Sequence, residues 1–152
     1  MSDKKEMTDG EKIAVDRDIA AALMAAAEYN KSGQRRINIR RKGELMFTFV
    51  IEAVSEEAWN RARRESTRNK GRRNEEMDSG RYLSYVIYEA TIDEDKKKLW
   101  QNKSLWPKFN ATSGVDLVQA ILKPAEKMKI AEEIENMSGY SEDGLDGLIE
   151  NL

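Results

Sequence analysis

Cysteine and histidine are both missing from the 152 residues. Their absence excludes disulfides, thiolate nucleophiles, imidazole bases and the usual zinc or copper ligands together. Charge of one sign is scarce too: the acidic and basic residues leave a net charge of −2, which gives no whole-molecule attraction for nucleic acid or an anionic membrane. No long apolar run is present. The longest, Ile19 to Ala27, is alanine-rich and far short of the roughly 20 residues that a bilayer span needs, and the polar start from Met1 to Lys12 carries no signal-peptide core. The chain therefore reads as cytoplasmic, neither exported by a standard signal nor membrane-bound. Asp93, Glu94 and Asp95 have the look of a calcium loop, but Lys97 and Lys98 stand where an oxygen ligand and a glycine would be required. Asn69-Lys70-Gly71 lacks phosphate-loop spacing, and no carboxylate pair is set apart for acid/base work. We expect no enzyme, no metal and no cofactor.

What is present is 39% apolar and 36% charged residues, enough for a core beneath a heavily solvated surface. The chain divides into a leader (1–12), one globular domain (13–139) and an acidic amphipathic tail (140–152). Val15, Ile19, Leu23 and Ala26 form one helical stripe over 13–29. The period then changes to two: Ile37 and Ile39, and Leu45, Phe47, Phe49 and Ile51, alternate with largely polar neighbours, which predicts a β-hairpin over 35–52. Both apolar sets are odd-numbered and share a face only if an odd number of residues intervenes. A three-residue loop, Arg41-Lys42-Gly43 with Gly43 left-handed, satisfies this and predicts that Ile39 faces Leu45 and Ile37 faces Phe47.

Helices follow at about 56–68, 79–90, 94–102, 114–122 and 124–138. Ser55 reads as an N-cap before Glu56 and Glu57, with Val54 and Trp59 at staple spacing. Tyr82, Tyr85, Val86 and Ala90 line the inner side of the next helix. Asp93 would cap the short helix that carries Leu99 and Trp100, and Leu105-Trp106-Pro107 opens an aromatic-anchored turn. Ser113-Gly114-Val115-Asp116 has capping-box spacing, Pro124 suits a first helical position, and Gly139 suits a helix stop after Ile130, Ile134 and Met137. The fold class is α+β and mainly helical, an N-terminal β-hairpin packed on a small bundle of short helices.

Two features suit partner binding. The basic run Arg61, Arg63, Arg64, Arg68, Lys70, Arg72 and Arg73 would place Arg61, Arg64, Arg68 and Arg72 on one face if helical, with Arg73 beside them. The plainer reading is a solvated surface balanced by Glu75, Glu76 and Asp78. In the tail, Leu145, Leu148, Ile149 and Leu152 recur at helical spacing among acidic residues, and such a short helix needs either the domain or a partner to order it.

Taken in order, several segments resemble one family: Val54-Ser55-Glu56-Glu57-Ala58-Trp59-Asn60-Arg61, Asn69-Lys70-Gly71-Arg72-Arg73, Tyr85-Val86-Ile87-Tyr88-Glu89-Ala90-Thr91, Leu99-Trp100 with Lys103-Ser104-Leu105-Trp106, Ser113-Gly114-Val115-Asp116, Ile121-Leu122-Lys123-Pro124-Ala125-Glu126 and Met137-Ser138-Gly139. They look like the PBSX-type (XkdN-like) tail assembly chaperones of phages and prophages, over roughly residues 35–140. Ala125 departs from the glycine expected there. The resemblance implies a protein that binds the tape measure protein, keeps it soluble, helps recruit tail tube protein, and leaves before the virion is complete; it supplies no catalytic residues. A structural tail component forming homo-oligomers is the alternative, with a nucleic-acid-binding regulator using 61–73 the least favoured. The assignment of the basic run and tail to partner contact comes from the residues themselves.

Overall fold

A computed structural model describes residues 18–139 and Leu148, leaving aside the side chains of 28–32. The expected leader and the rest of the tail lie outside the described residues, as does Val15.

Helix α1 (Ile19–Ser32) has Asp18 as its N-cap, whose carboxylate accepts the Ala21 N–H at 3.1 Å; residues 13–17 of the expected helix lie outside the described residues. Its stripe is not buried: every residue from Asp18 to Ala27 is exposed.

Strands β1 (Gln34–Arg41) and β2 (Glu44–Glu52) form the antiparallel hairpin, with a register unlike the expected one. Arg41 faces Glu44 across a two-residue turn in which Lys42 and Gly43 both have positive φ, 54° and 76°, the conformation of a type I′ turn. A bulge then shifts the register between Ile39 and Arg40, so that Ile39 faces Phe47 and Ile37 faces Phe49. The parity demand is met, but the extra residue is Met46 inside the strand rather than a third loop residue. Ile39, Phe49 and Ile51 reach the core, while Leu45 stays exposed near the tip.

Helix α2 (Glu56–Glu65) begins at Ser55, whose hydroxyl accepts the Ala58 N–H at 3.2 Å, and both Val54 and Trp59 are buried. It stops short of the expected 68. Ser66 donates its N–H to Arg63 O, the Thr67 hydroxyl donates to the same carbonyl at 2.7 Å, and Ser66 O accepts from Asp78 at 2.8 Å. These bonds replace the helical ladder and launch a second, short hairpin, β3 (Thr67–Arg68) with β4 (Glu76–Met77).

Helix α3 (Ser79–Ala90), capped by Asp78, is central: it packs against α2, α5 (Gly114–Ile121), α6 (Pro124–Met137) and β2. Val86, Ile87 and Ala90 are fully buried, and Tyr82 and Tyr85 half so. Helix α4 (Asp93–Lys98) is shorter than expected and its N-cap is Ile92, not Asp93. Asp95 accepts the Val50 N–H at 2.7 Å and Val50 O accepts from Ile92 at 3.0 Å, so this segment seals the outer edge of β2. Trp100, beyond the helix, is 1% exposed and meets Phe49 edge-on at 5.5 Å between ring centroids. A 3₁₀ turn over Trp106–Phe109 returns the chain to α5, where Ser113 accepts the Asp116 N–H at 3.2 Å. Gly114 lies against the Tyr88 ring, and a Cβ there would also come within 3.1 Å of Trp100 O, so this glycine answers to close packing. Pro124 opens α6, and Gly139 follows it at φ 78°. The architecture is mainly helical α+β, with the hairpin at its N-terminal side.

Candidate partner-binding surface

Because α2 ends at Glu65, the basic run is not one helical face. Arg61 sits on α2 and is held by Glu57 at 3.6 Å and Glu89 at 3.4 Å. Arg68 lies on β3 and binds Asp78 at 2.7 Å. Arg72 and Arg73 belong to the connection between β3 and β4, which turns through Asn69 and Gly71 at φ 56° and 75°. There the Glu75 carboxylate accepts the Gly71 N–H at 3.2 Å, placing an anion inside the basic segment. Only Arg64, Arg72 and Arg73 of the five expected arginines are exposed and make no ion pair among the described residues. The surface is thus a scatter of free cations with paired ones between, suited to weak anionic contacts rather than a row of phosphates.

The titratable groups near it serve the frame. Asp78 is held below the usual carboxylate range by the Arg81 N–H and the Arg68 guanidinium, and Arg68 is raised by the same pairing. Burial lifts the Tyr85 hydroxyl, with Glu89 and Glu65 adding to it. For Asp116, burial works upward, yet hydrogen bonds from the Thr112 N–H, Arg81 and the Thr112 hydroxyl outweigh it and bring the carboxyl to about 2.

Leu148 is the one tail residue described, and it is 70% exposed; Leu145, Ile149 and Leu152 lie outside the described residues. Two further surfaces were not singled out from the sequence. Ile19, Leu23 and Met24 on α1 are 58%, 66% and 69% exposed, an apolar strip whose helical spacing was legible though its exposure was not. The second is a groove of about 510 Å³ between β1 and α6, lined along residues 35–40 of the strand and by Glu126, Lys129, Ile130 and Glu133 of the helix, so that charges of both signs line it. Alternation marked β1 as two-faced, but nothing in the sequence pairs residues 35–40 with 126–133.

No helix among the described residues is long and apolar enough to cross a membrane, and no group of three or more carboxylates there is placed to hold a metal ion. No curated protein and no solved structure matches this chain. A sequence model of the phage XkdN-like tail assembly chaperones does match, over residues 20–152, which takes in all of the described elements but the first residue of α1, and the tail. The chain belongs to the phage XkdN-like tail assembly chaperone family.

Proposed function

We propose that this protein binds the tape measure protein in the host cytoplasm, keeps it soluble, assists assembly of tail tube protein around it, and is absent from the finished virion. The family match carries the reading. A long apolar helical client aggregates until the tube encloses it, and a binder that covers its surface shifts that balance by mass action. The exposed strip of Ile19, Leu23 and Met24 on α1 supports it, since an apolar helix face left in water suits a helical client. In this reading the free cations Arg64, Arg72 and Arg73 add a salt-sensitive contact, with Arg61 and Arg68 fixed beside them by their ion pairs. The tail stripe of Leu145, Leu148, Ile149 and Leu152 is a further proposed contact. The work is binding alone, without covalent chemistry.

Co-expression with the tape measure protein tests it. The client stays in the soluble fraction only when this chain is present, and purified tails lack the chain by mass spectrometry. A client equally soluble without it overturns the chaperone role, and stoichiometric presence in finished tails turns the reading to a structural component.

A further inference from the structure

The first turn of α3 passes α5 and α6 at Gly80, and the charges gathered there do not balance. Asp78, the N-cap, accepts the Arg81 N–H at 3.0 Å and binds the Arg68 guanidinium at 2.7 Å. Arg81 turns its own guanidinium to Asp116. Each of those cations has a carboxylate. Lys127 of α6 has none: it makes no ion pair and no side-chain hydrogen bond among the described residues, yet it is only 6% exposed.

An unpartnered ammonium in that setting costs desolvation that a methionine would not, so the stability of the fold gives no reason for lysine at 127. Its position gives one. A Cβ built on Gly80 would stand 3.7 Å from Lys127 Nζ, 3.9 Å from Gln119 Nε2 and 3.6 Å from Asp78 Oδ1. The glycine therefore leaves a point open beside an ammonium and an amide NH2. Gln119 is oriented by Arg81, whose guanidinium can only donate and so meets the amide oxygen, at 3.4 Å. The NH2 that this turns toward Gly80 has no acceptor among the described residues. Gly80 and Gln119 are both partly exposed, so the cluster is open to solvent.

We propose that Gly80, Gln119 and Lys127 form a binding site for one carboxylate group, supplied by an acidic side chain of a protein partner or by a free carboxylic acid. The ammonium and the amide NH2 offer one donor to each carboxylate oxygen, and the N-terminus of α3 favours negative charge at the same place. A single negative charge completes the pairing of Arg68, Arg81 and Lys127. A phosphate dianion brings a second charge, which the neighbouring Asp78 carboxylate opposes. The site does not depend on the chaperone role.

Titration of the isotope-labelled full chain with sodium acetate at constant ionic strength, followed by the amide signals, tests this. Saturable shifts are expected at the Arg81 N–H and the Gln119 NH2, with affinity about tenfold weaker in Lys127→Met and in Gly80→Ala, whose methyl group fills the open point. Neither variant removes a contact that holds the fold, so both should melt at or above the temperature of the parent. Lower melting temperatures in both would give Lys127 and Gly80 a structural role and overturn the proposal. So would the absence of saturation, shifts that persist unchanged in Lys127→Met, or tighter binding of inorganic phosphate than of acetate. A blocked glutamate peptide that binds more tightly than acetate identifies an acidic side chain as the source, and the reverse order a free acid; both uphold the site.

Discussion

Trp100 donates its indole N–H to the Thr91 hydroxyl at 3.0 Å, and Thr91 donates in turn to Ile87 O at 2.7 Å, with Trp100 and Thr91 each 1% exposed. This chain ties the largest core side chain to the end of α3, beside the point where Ile51 bridges Thr91. Thr91→Val keeps the shape and removes the acceptor, leaving a buried donor unmet. A loss of about 1–3 kcal/mol is expected by urea denaturation, with Thr91→Ser losing less. Equal losses in the two variants would assign the effect to packing rather than to the hydrogen bond.

Gly114→Ala adds a methyl group against the Tyr88 ring, where the neighbours on the other side are backbone. Overpacking of this kind costs about 1–3 kcal/mol and lowers the melting temperature. At Gly139, where nothing lies within 4 Å of the added Cβ, the cost of alanine comes from φ alone and is about 1 kcal/mol.

The type I′ turn places a lysine where asparagine or glycine is favoured. Lys42→Asn should stabilise the hairpin by about 0.5–1 kcal/mol, whereas Gly43→Ala should destabilise it by a similar amount. A three-residue loop with an ordinary φ at 42 would make the first substitution neutral.

Asp116 gives the pH dependence a definite sign. Its folded value of about 2 lies below the ordinary 3.8, so its contribution is present above the unfolded value and is lost as pH falls through the folded one. The shift corresponds to about 2 kcal/mol. Asp78 and Glu126, both lowered, act in the same direction. Acid titration of stability should therefore decline from about pH 5 downward, and Asp116→Asn should flatten that decline. An unchanged slope in the variant would remove Asp116 from the account.

Arg64→Ala, Arg72→Ala and Arg73→Ala together should change stability by no more than about 0.5 kcal/mol, because these side chains are exposed and make no ion pair among the described residues. Under the proposed function, their effect should instead appear as weaker, less salt-sensitive retention of the tape measure protein. Retention that is unaltered at low salt would clear the cations of any part in it.

Much of the scaffold was written in local chemistry. Ser55 and Ser113 cap helices because a hydroxyl ahead of free N–H groups does so wherever it stands, and Pro124 and Gly139 bound α6 through their own backbone preferences. Parity along β1 and β2 determined which residues share the buried face, since alternation is a property of any strand. It did not locate the extra residue. A left-handed Lys42 and a bulge at Met46 solve the same demand as a longer loop, and the choice between them belongs to the assembled hairpin. The end of α2 was likewise not legible, because Ser66 and Thr67 leave the helix for partners that include Asp78, a residue eleven or more positions on. The meeting of β1 with α6 depends on contacts between segments some ninety residues apart, and the exposure of the α1 strip on no described segment covering it. Composition and periodicity determined the elements, their faces and the charge that each carries. Which faces are covered, and which cations are left to meet a partner, was decided only when the chain closed on itself, because burial and ion pairing are relations between distant residues.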